Sequence, residues 1–382
     1  MEEMKYIFNH VLLKLASRCN LKCDYCYWFK DDSVLEKPPR LTKDVESAFL
    51  AKLRAHILRY QLKSFLVLFH GGEPLLFGKQ RFIDLCFELR SLEQELNVSL
   101  DLRMTTNGVL IDDEWASILA YYKVHVTVSL DPTPEAHDRH RTDFKGHGSY
   151  SRAFQGFALL RKHGASVSGL AVCDPEANPE DVYRHFIDEL QLKSFDVLIP
   201  IRDHESEVLP ISQFYIKLFD LWYDTYSHQK VEIRLFNNYI DVMLGGRSRT
   251  EGIGLNRVHT HTLLTDGSLE ALDVLRVSGY RHTESRLNIK THALQDSEQD
   301  PTWQEAYHAA LNQPEICRSC RYRKVCGSGH IATRWSKERR YDNPSVYCGQ
   351  LYKILSHIES RIFADIHYAE KTATGEKNEV RC

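Results

Sequence analysis

Seven of the ten cysteines in this 382-residue chain fall into two sets near opposite ends. In "CNLKCDYCYWFK", Cys19, Cys23 and Cys26 are spaced C-x-x-x-C-x-x-C. Three thiols this close have three readings: a metal site, a disulfide with one thiol left over, or chance. In "CRSCRYRKVCGSGH" and "NPSVYC", Cys317, Cys320, Cys326 and Cys348 form a second set. Four thiols suit a closed metal site, either zinc or iron–sulfur, and C-x-x-C pairs are common in the former.

Redox surroundings narrow the first choice. The N-terminus, "MEEMKYIFNH", has no apolar signal region, and no apolar run approaches the ~20 residues a membrane span needs. A cytoplasmic enzyme is expected, with its thiols reduced, which disfavours the disulfide. A net charge of −3 gives no electrostatic footprint for nucleic acid or a membrane surface. Cys86 and Cys173 lie in apolar stretches and are expected in the core; Cys382 ends a polar tail expected to be disordered. Three thiolates can hold three irons of a [4Fe–4S] cube and leave the fourth open. An open position on a metal is where an exogenous ligand binds.

Such a site needs elements to hold it. Strand candidates occupy 11–17, 64–70, 99–105, 123–130, 166–172 and 194–200, each rich in branched or aromatic residues. Between them, "LTKDVESAFLAKLRAHILRY" repeats Val45, Phe49, Leu50, Leu53, Ile57 and Leu58 at helical spacing. Asn178 and Pro179 read as a helix N-cap and first turn, and Gly164 as a left-handed C-cap. Six strand–helix alternations imply parallel strands with helical crossovers. No G-x-G-x-x-G follows the first strand, so a β/α barrel, whole or partial, fits better than a dinucleotide-binding sheet. Barrel chemistry sits on the loops after the strands. There the chain places the three-cysteine motif, "HGGEP" (70–74), "TTNG" (105–108) and "SLDPTPEAHDRHR" (129–141).

In that order, these motifs resemble those of the radical S-adenosylmethionine (SAM) enzymes. The resemblance implies a partial (β/α)6 TIM-like barrel whose cluster, bound by Cys19, Cys23 and Cys26, cleaves SAM to a hydrogen-abstracting 5′-deoxyadenosyl radical. It implies SAM contacts from Gly71 and Gly72, whose missing Cβ allows close approach, from Glu73 to the amine, from Ser129 to the ribose and from Arg141 to the carboxylate. Tyr25 would pack near the adenine. Asn107 and Gly108 read as a turn. Pro132 stands where the family often has Gly.

Behind such a barrel, the second set resembles the SPASM extension of peptide-modifying enzymes, which typically houses two auxiliary [4Fe–4S] clusters. Here the pattern is incomplete. His330 stands where one cysteine is expected and Leu272 where another usually precedes the aspartate. One auxiliary cluster is therefore expected, on Cys317, Cys320, Cys326 and Cys348, with Asp273 at the position of a catalytic base. The implied units are 1–235 (barrel), 236–368 (SPASM-like, ending in a helix with Leu351, Ile354, Leu355, Ile358 and Ile362 on one face) and 369–382 (tail). Within the family, "TDGSLEALDVLR" and "CGSGHIATRWSKERRYDNPSVYC" are similar to maturases that form cyclophane crosslinks in ribosomally made precursor peptides, joining a β-carbon to an aromatic ring. Thioether formation, epimerisation and anaerobic sulfatase maturation are the alternatives within the family. An external electron donor such as flavodoxin or ferredoxin is implied. Outside it, a non-catalytic zinc-binding protein is the competing class.

Overall fold

The computed structural model describes residues 7–248, 250–255, 260–279 and 281–374. All six expected strands form: β1 (His10–Ala16), β2 (Ser64–Gly71), β3 (Ser99–Thr106), β4 (His125–Ser129), β5 (Val167–Val172) and β6 (Ser194–Leu198). Parallel ladders join each to the next. Period-two alternation decides what each residue does. Phe65, Val67 and Phe69 of β2 are buried in one core with Phe49, Leu53 and Ile57 of the covering helix Lys43–Tyr60. Leu68 and His70, on the opposite face, line an internal cavity.

The helices end as their residues dictate. Asn178 accepts from the Glu180 N–H at a helix start, with Pro179 in the first turn. Gly164 adopts a φ of +74° just past the helix Tyr150–Lys162. Cys86 and Cys173 are core residues.

The sheet continues into the C-terminal half. β7 (Glu232–Ile233) extends the sheet beyond β6; β8 (His261–Leu263) adds parallel to β1 at the other end, and β9 (Leu269–Glu270) pairs antiparallel with β8. The order is β9-β8-β1-β2-β3-β4-β5-β6-β7, an open sheet and hence a partial barrel. Part of the expected 236–368 unit is thus an edge of the barrel sheet, on strands too short to show any periodicity.

The final helix, Cys348–Thr374, buries Leu351, Ile354, Leu355, Ile358 and Ile362. Its His357 Nε2 lies 2.7 Å from Asp220 of the helix Ser212–Gln229. It continues into the expected tail; residues 375–382, with Cys382, lie outside the described residues. Among the described residues, no helix is long and apolar enough to cross a membrane.

Candidate active site

The loops after β1, β2, β3 and β4 meet at one cavity of about 490 Å³. Cys19, Cys23, Cys26, Tyr25, Gly71, Gly72, Glu73, Ser129 and Arg141 all line it, so the expected rim residues are brought together. Its far wall comes from the C-terminal half, including Leu272, His330 and Tyr347.

Cys23 is fixed by a two-residue antiparallel pairing, Lys22–Cys23 against Arg141–Thr142. Cys26 precedes a single turn, Tyr27–Phe29. Burial pushes the Cys23 thiol up to about 11, against the opposing pull of Arg141, and pushes Cys19 higher still. Thiols so placed favour their neutral form until a metal supplies positive charge. Among the described residues, no three His, Cys, Asp or Glu side chains gather around a point that would hold a single metal ion. A four-iron cube gives each thiolate its own corner.

Several supporting residues escaped the sequence reading. Asn107 does more than turn the chain: its Nδ2 donates to Asn20 at 2.8 Å and approaches Cys19 Sγ at 3.8 Å. The Asn107 N–H donates to Glu73, as do the Thr106 hydroxyl and the Leu75 N–H. Three of about four carboxylate lone-pair sites are thereby occupied, leaving one for a cavity ligand. Burial outweighs these bonds and pushes Glu73 up to about 7.

Gly71 and Gly72 are also packed tightly against backbone. A Cβ at 71 would stand 2.4 Å from the Ala16 carbonyl oxygen, and one at 72 only 2.3 Å from that of Arg18. Their bareness lets β2 close against the backbone that leads into Cys19.

Asp131, in "SLDP", holds Arg141. The guanidinium donates from Nε at 2.8 Å and from Nη2 at 3.0 Å, and the Tyr25 hydroxyl donates to the same carboxylate. Burial alone would raise Asp131; Arg141 and Tyr25 together hold it below the usual carboxylate range. The Tyr25 ring also lies under the guanidinium, 5.3 Å away. His137 completes the support. Its Nδ1 accepts from the Asp131 N–H, and its Nε2 meets the Ser149 hydroxyl, which donates to the Arg141 carbonyl.

This arrangement requires a neutral imidazole, and burial, reinforced by the Arg141 charge, lowers His137 to about 4. Between its unfolded value of about 6.5 and 4, the unfolded chain binds the proton first. Stability is therefore present above pH 6.5 and falls by about 3 kcal/mol as pH drops to 4. Denaturant unfolding across that window should show a shallower acid loss in His137→Gln.

Asp273 is buried rather than displayed. Its carboxylate takes Lys14 Nζ at 2.6 Å and the Tyr27 hydroxyl at 2.9 Å. Lys14 also lies 3.2 Å from His70 Nδ1 and 3.8 Å over the Trp28 ring. Burial pulls Asp273 upward, but Lys14, His70 and Tyr27 together hold it below the usual carboxylate range. Tyr27 and His70 line the cavity and Asp273 does not; the Tyr27 hydroxyl, bonded to its carboxylate, stands between them.

The second cysteine set lines a separate cavity of about 160 Å³. Burial pushes Cys326 up to about 12, and the neighbouring Cys348, Cys317 and Cys320 add to the rise, as four gathered thiols should. His330 is absent from that lining and faces the main cavity instead. Its Nδ1 accepts from the Ala332 N–H, and burial lowers it to about 4, so it presents a neutral imidazole.

Comparison with known proteins places this geometry. The radical SAM superfamily profile matches residues 13–187. Those residues form a radical SAM domain. The chain is 26% identical over 356 residues to the cysteine-type anaerobic sulfatase-maturating enzyme of Clostridium perfringens (strain 13), covering 90% of this chain and 94% of that one. Its fold matches a solved structure of native anSMEcpe with bound AdoMet, with a TM-score of 0.83 and 23% identity over 93% of this chain and 98% of that chain. The same protein with AdoMet and the Cp18Cys peptide matches with a TM-score of 0.82 and 23% identity, over 94% and 99%. A radical SAM domain uses SAM and a [4Fe–4S] cluster, and the cavity-facing thiols of Cys19, Cys23 and Cys26 fit that cluster.

Proposed function

We propose that this chain is a maturase that modifies a peptide at a β-carbon, most specifically by joining that carbon to a nearby aromatic ring. One observation carries the reading: the three-cysteine rim and the wall of the C-terminal half enclose a single cavity. A residue held against that wall is presented to the rim.

Cys19, Cys23 and Cys26 would hold the SAM-binding cluster, and Arg141, Ser129, Tyr25, Gly71, Gly72 and Glu73 would surround SAM. When bound, the pair supplies a radical able to remove a hydrogen atom from an unactivated carbon. Crosslinking must then release one electron and one proton as the ring regains aromaticity. Asp273 is ionised and takes the proton through the Tyr27 hydroxyl to which it is bonded. Cys317, Cys320, Cys326 and Cys348 would hold a group able to accept the electron, with an external donor such as ferredoxin or flavodoxin priming the first cluster. Leu272 and His330, standing where cysteines are expected, support one auxiliary cluster and the crosslinking branch.

A second reading has its own support. The sulfatase-maturating relative aligns over almost its full length, which supports modification of one side chain at its β-carbon without a crosslink. Both readings begin at a β-carbon. A precursor peptide carrying deuterium at its β-carbons should transfer the label to 5′-deoxyadenosine in the anaerobic, reconstituted enzyme. Label transferred only from a Cα-deuterated peptide would replace both readings with epimerisation.

A further inference from the structure

Arg202 sits on the loop after β6, half-buried in the cavity wall. The other guanidiniums in that lining are neutralised internally: Arg141 by Asp131, and Arg234 by Asp196 at 2.8 Å. The Arg202 guanidinium has no hydrogen bond, ion pair or ring contact among the described residues. The adjacent Asp203 forms no ion pair with it among the described residues; the Asp203 Oδ1 accepts from the Glu205 N–H and the Ser206 hydroxyl.

The loop is also held in place. The His204 N–H donates to the Trp335 carbonyl at 2.8 Å, and His204 Nε2 lies 2.9 Å from that of Pro344. Further along, Gln350 donates to the Leu209 carbonyl and accepts from the Ser212 N–H. Arg202 is therefore an unneutralised cation on a pinned loop, drawn partly out of water. Its position after β6 is four strands along the sheet from the "GGEP" strand, β2, and apart from the β1–β4 loops that carry the expected SAM contacts. A guanidinium in this state is completed by a ligand carboxylate, which it can grip through two parallel N–H bonds.

We infer that Arg202 determines peptide specificity by binding a substrate carboxylate, supplied by an Asp or Glu side chain or by the peptide's C-terminus. The inference rests on the peptide reading above. In a peptide so anchored, the position of the carboxylate relative to the reacting residue selects which β-carbon reaches the rim.

The test uses the full-length, reconstituted enzyme with SAM and fluorescein-labelled random peptide pools. The pools contain either Asp and Glu or Asn and Gln, each with a free or an amidated C-terminus. Fluorescence anisotropy should show about tenfold tighter binding of carboxylate-bearing pools, as one charge-assisted contact supplies. A preference that survives amidation assigns the side chain; one that amidation removes assigns the terminus. Arg202→Gln should abolish the preference, Arg202→Lys should keep part of it, and SAM affinity should be unchanged in both. Arg103→Gln, a surface guanidinium paired with Asp101, should leave the preference intact. Amide and acid pools binding wild type equally, an acid preference persisting in Arg202→Gln, or loss of SAM affinity there would each overturn the assignment while leaving peptide binding intact. Failure of every pool to bind would instead remove the peptide reading and Arg202's role with it.

Discussion

One methyl group added at position 72 is expected to empty the three-cysteine site. The Cβ of Gly72→Ala would stand 2.3 Å from the Arg18 carbonyl oxygen, 2.5 Å from its carbon and 2.9 Å from the Cys19 nitrogen. These are backbone atoms and have no alternative rotamer. They are also tied down: the Gly72 N–H donates to Ala16, and the Glu73 N–H donates to Arg18 at 2.8 Å. Relief requires either the start of the cysteine loop or the end of β2 to move. Either shift misplaces Cys19 relative to Cys23 and Cys26, and disturbs the link from Glu73 through Asn107 to Cys19. Overpacking of this kind typically costs about 1–3 kcal/mol, which a chain of this size survives. The expected result is a folded protein whose reduced form lacks the SAM-sensitive cluster signal in electron paramagnetic resonance. Its 5′-deoxyadenosine formation should fall by about tenfold or more, the factor that each 1.4 kcal/mol of misplacement supplies. On the proposed reading, iron held by the second cysteine set, in its own cavity, should be retained.

The second large effect centres on Lys14 and Asp273, which are 0% and 2% exposed. Asp273→Asn leaves Lys14 buried without its counter-charge, and breaking a buried pair from one side costs about 3–5 kcal/mol. Shedding its proton limits that cost, since burial already lowers the Lys14 ammonium. Replacing both residues by apolar ones of similar volume, Lys14→Met with Asp273→Leu, should restore most of the stability, because no charge is then stranded. The two roles separate at this point. Denaturant unfolding should show a stable double variant and an unstable single one. Both should form 5′-deoxyadenosine with peptide present yet release little product, because neither offers the Tyr27 hydroxyl a carboxylate that can take up the proton. A double variant with full product turnover would make the pair structural only.

Most of the barrel could be read from the chain because its signals are local. Each strand is a short branched run, and the rim motifs follow strands directly, so topology alone gathers them. What stayed hidden depends on contacts between distant segments. Lys14 looks like an interruption of an apolar strand until Asp273 arrives from the far end of the chain. Asp131 and His137 sit inside a motif read for its arginine, and their support of Arg141 appears only once the loop is folded. Gly71 and Gly72 were legible as positions needing no Cβ, but their close backbone neighbours, Ala16 at the end of β1 and Arg18 just beyond it, come from a segment distant in sequence. His330 read as a displaced cysteine; the fold turns it away from the second cysteine set and into the main cavity. β8 has three residues, too few to carry a period, so the continuation of the sheet into the C-terminal half had no sequence signal.

The central claim is that a peptide β-carbon is joined to an aromatic ring in the cavity shared by the cysteine rim and the C-terminal wall. The most direct measurement is anaerobic co-expression with a candidate precursor peptide, followed by tandem mass spectrometry. The account predicts a peptide lighter by a pair of hydrogens per crosslink, with fragmentation blocked across a short aromatic-containing segment, and no such change with Cys23→Ser. A peptide that fragments without interruption and carries an aldehyde on one residue would contradict it and establish side-chain oxidation instead.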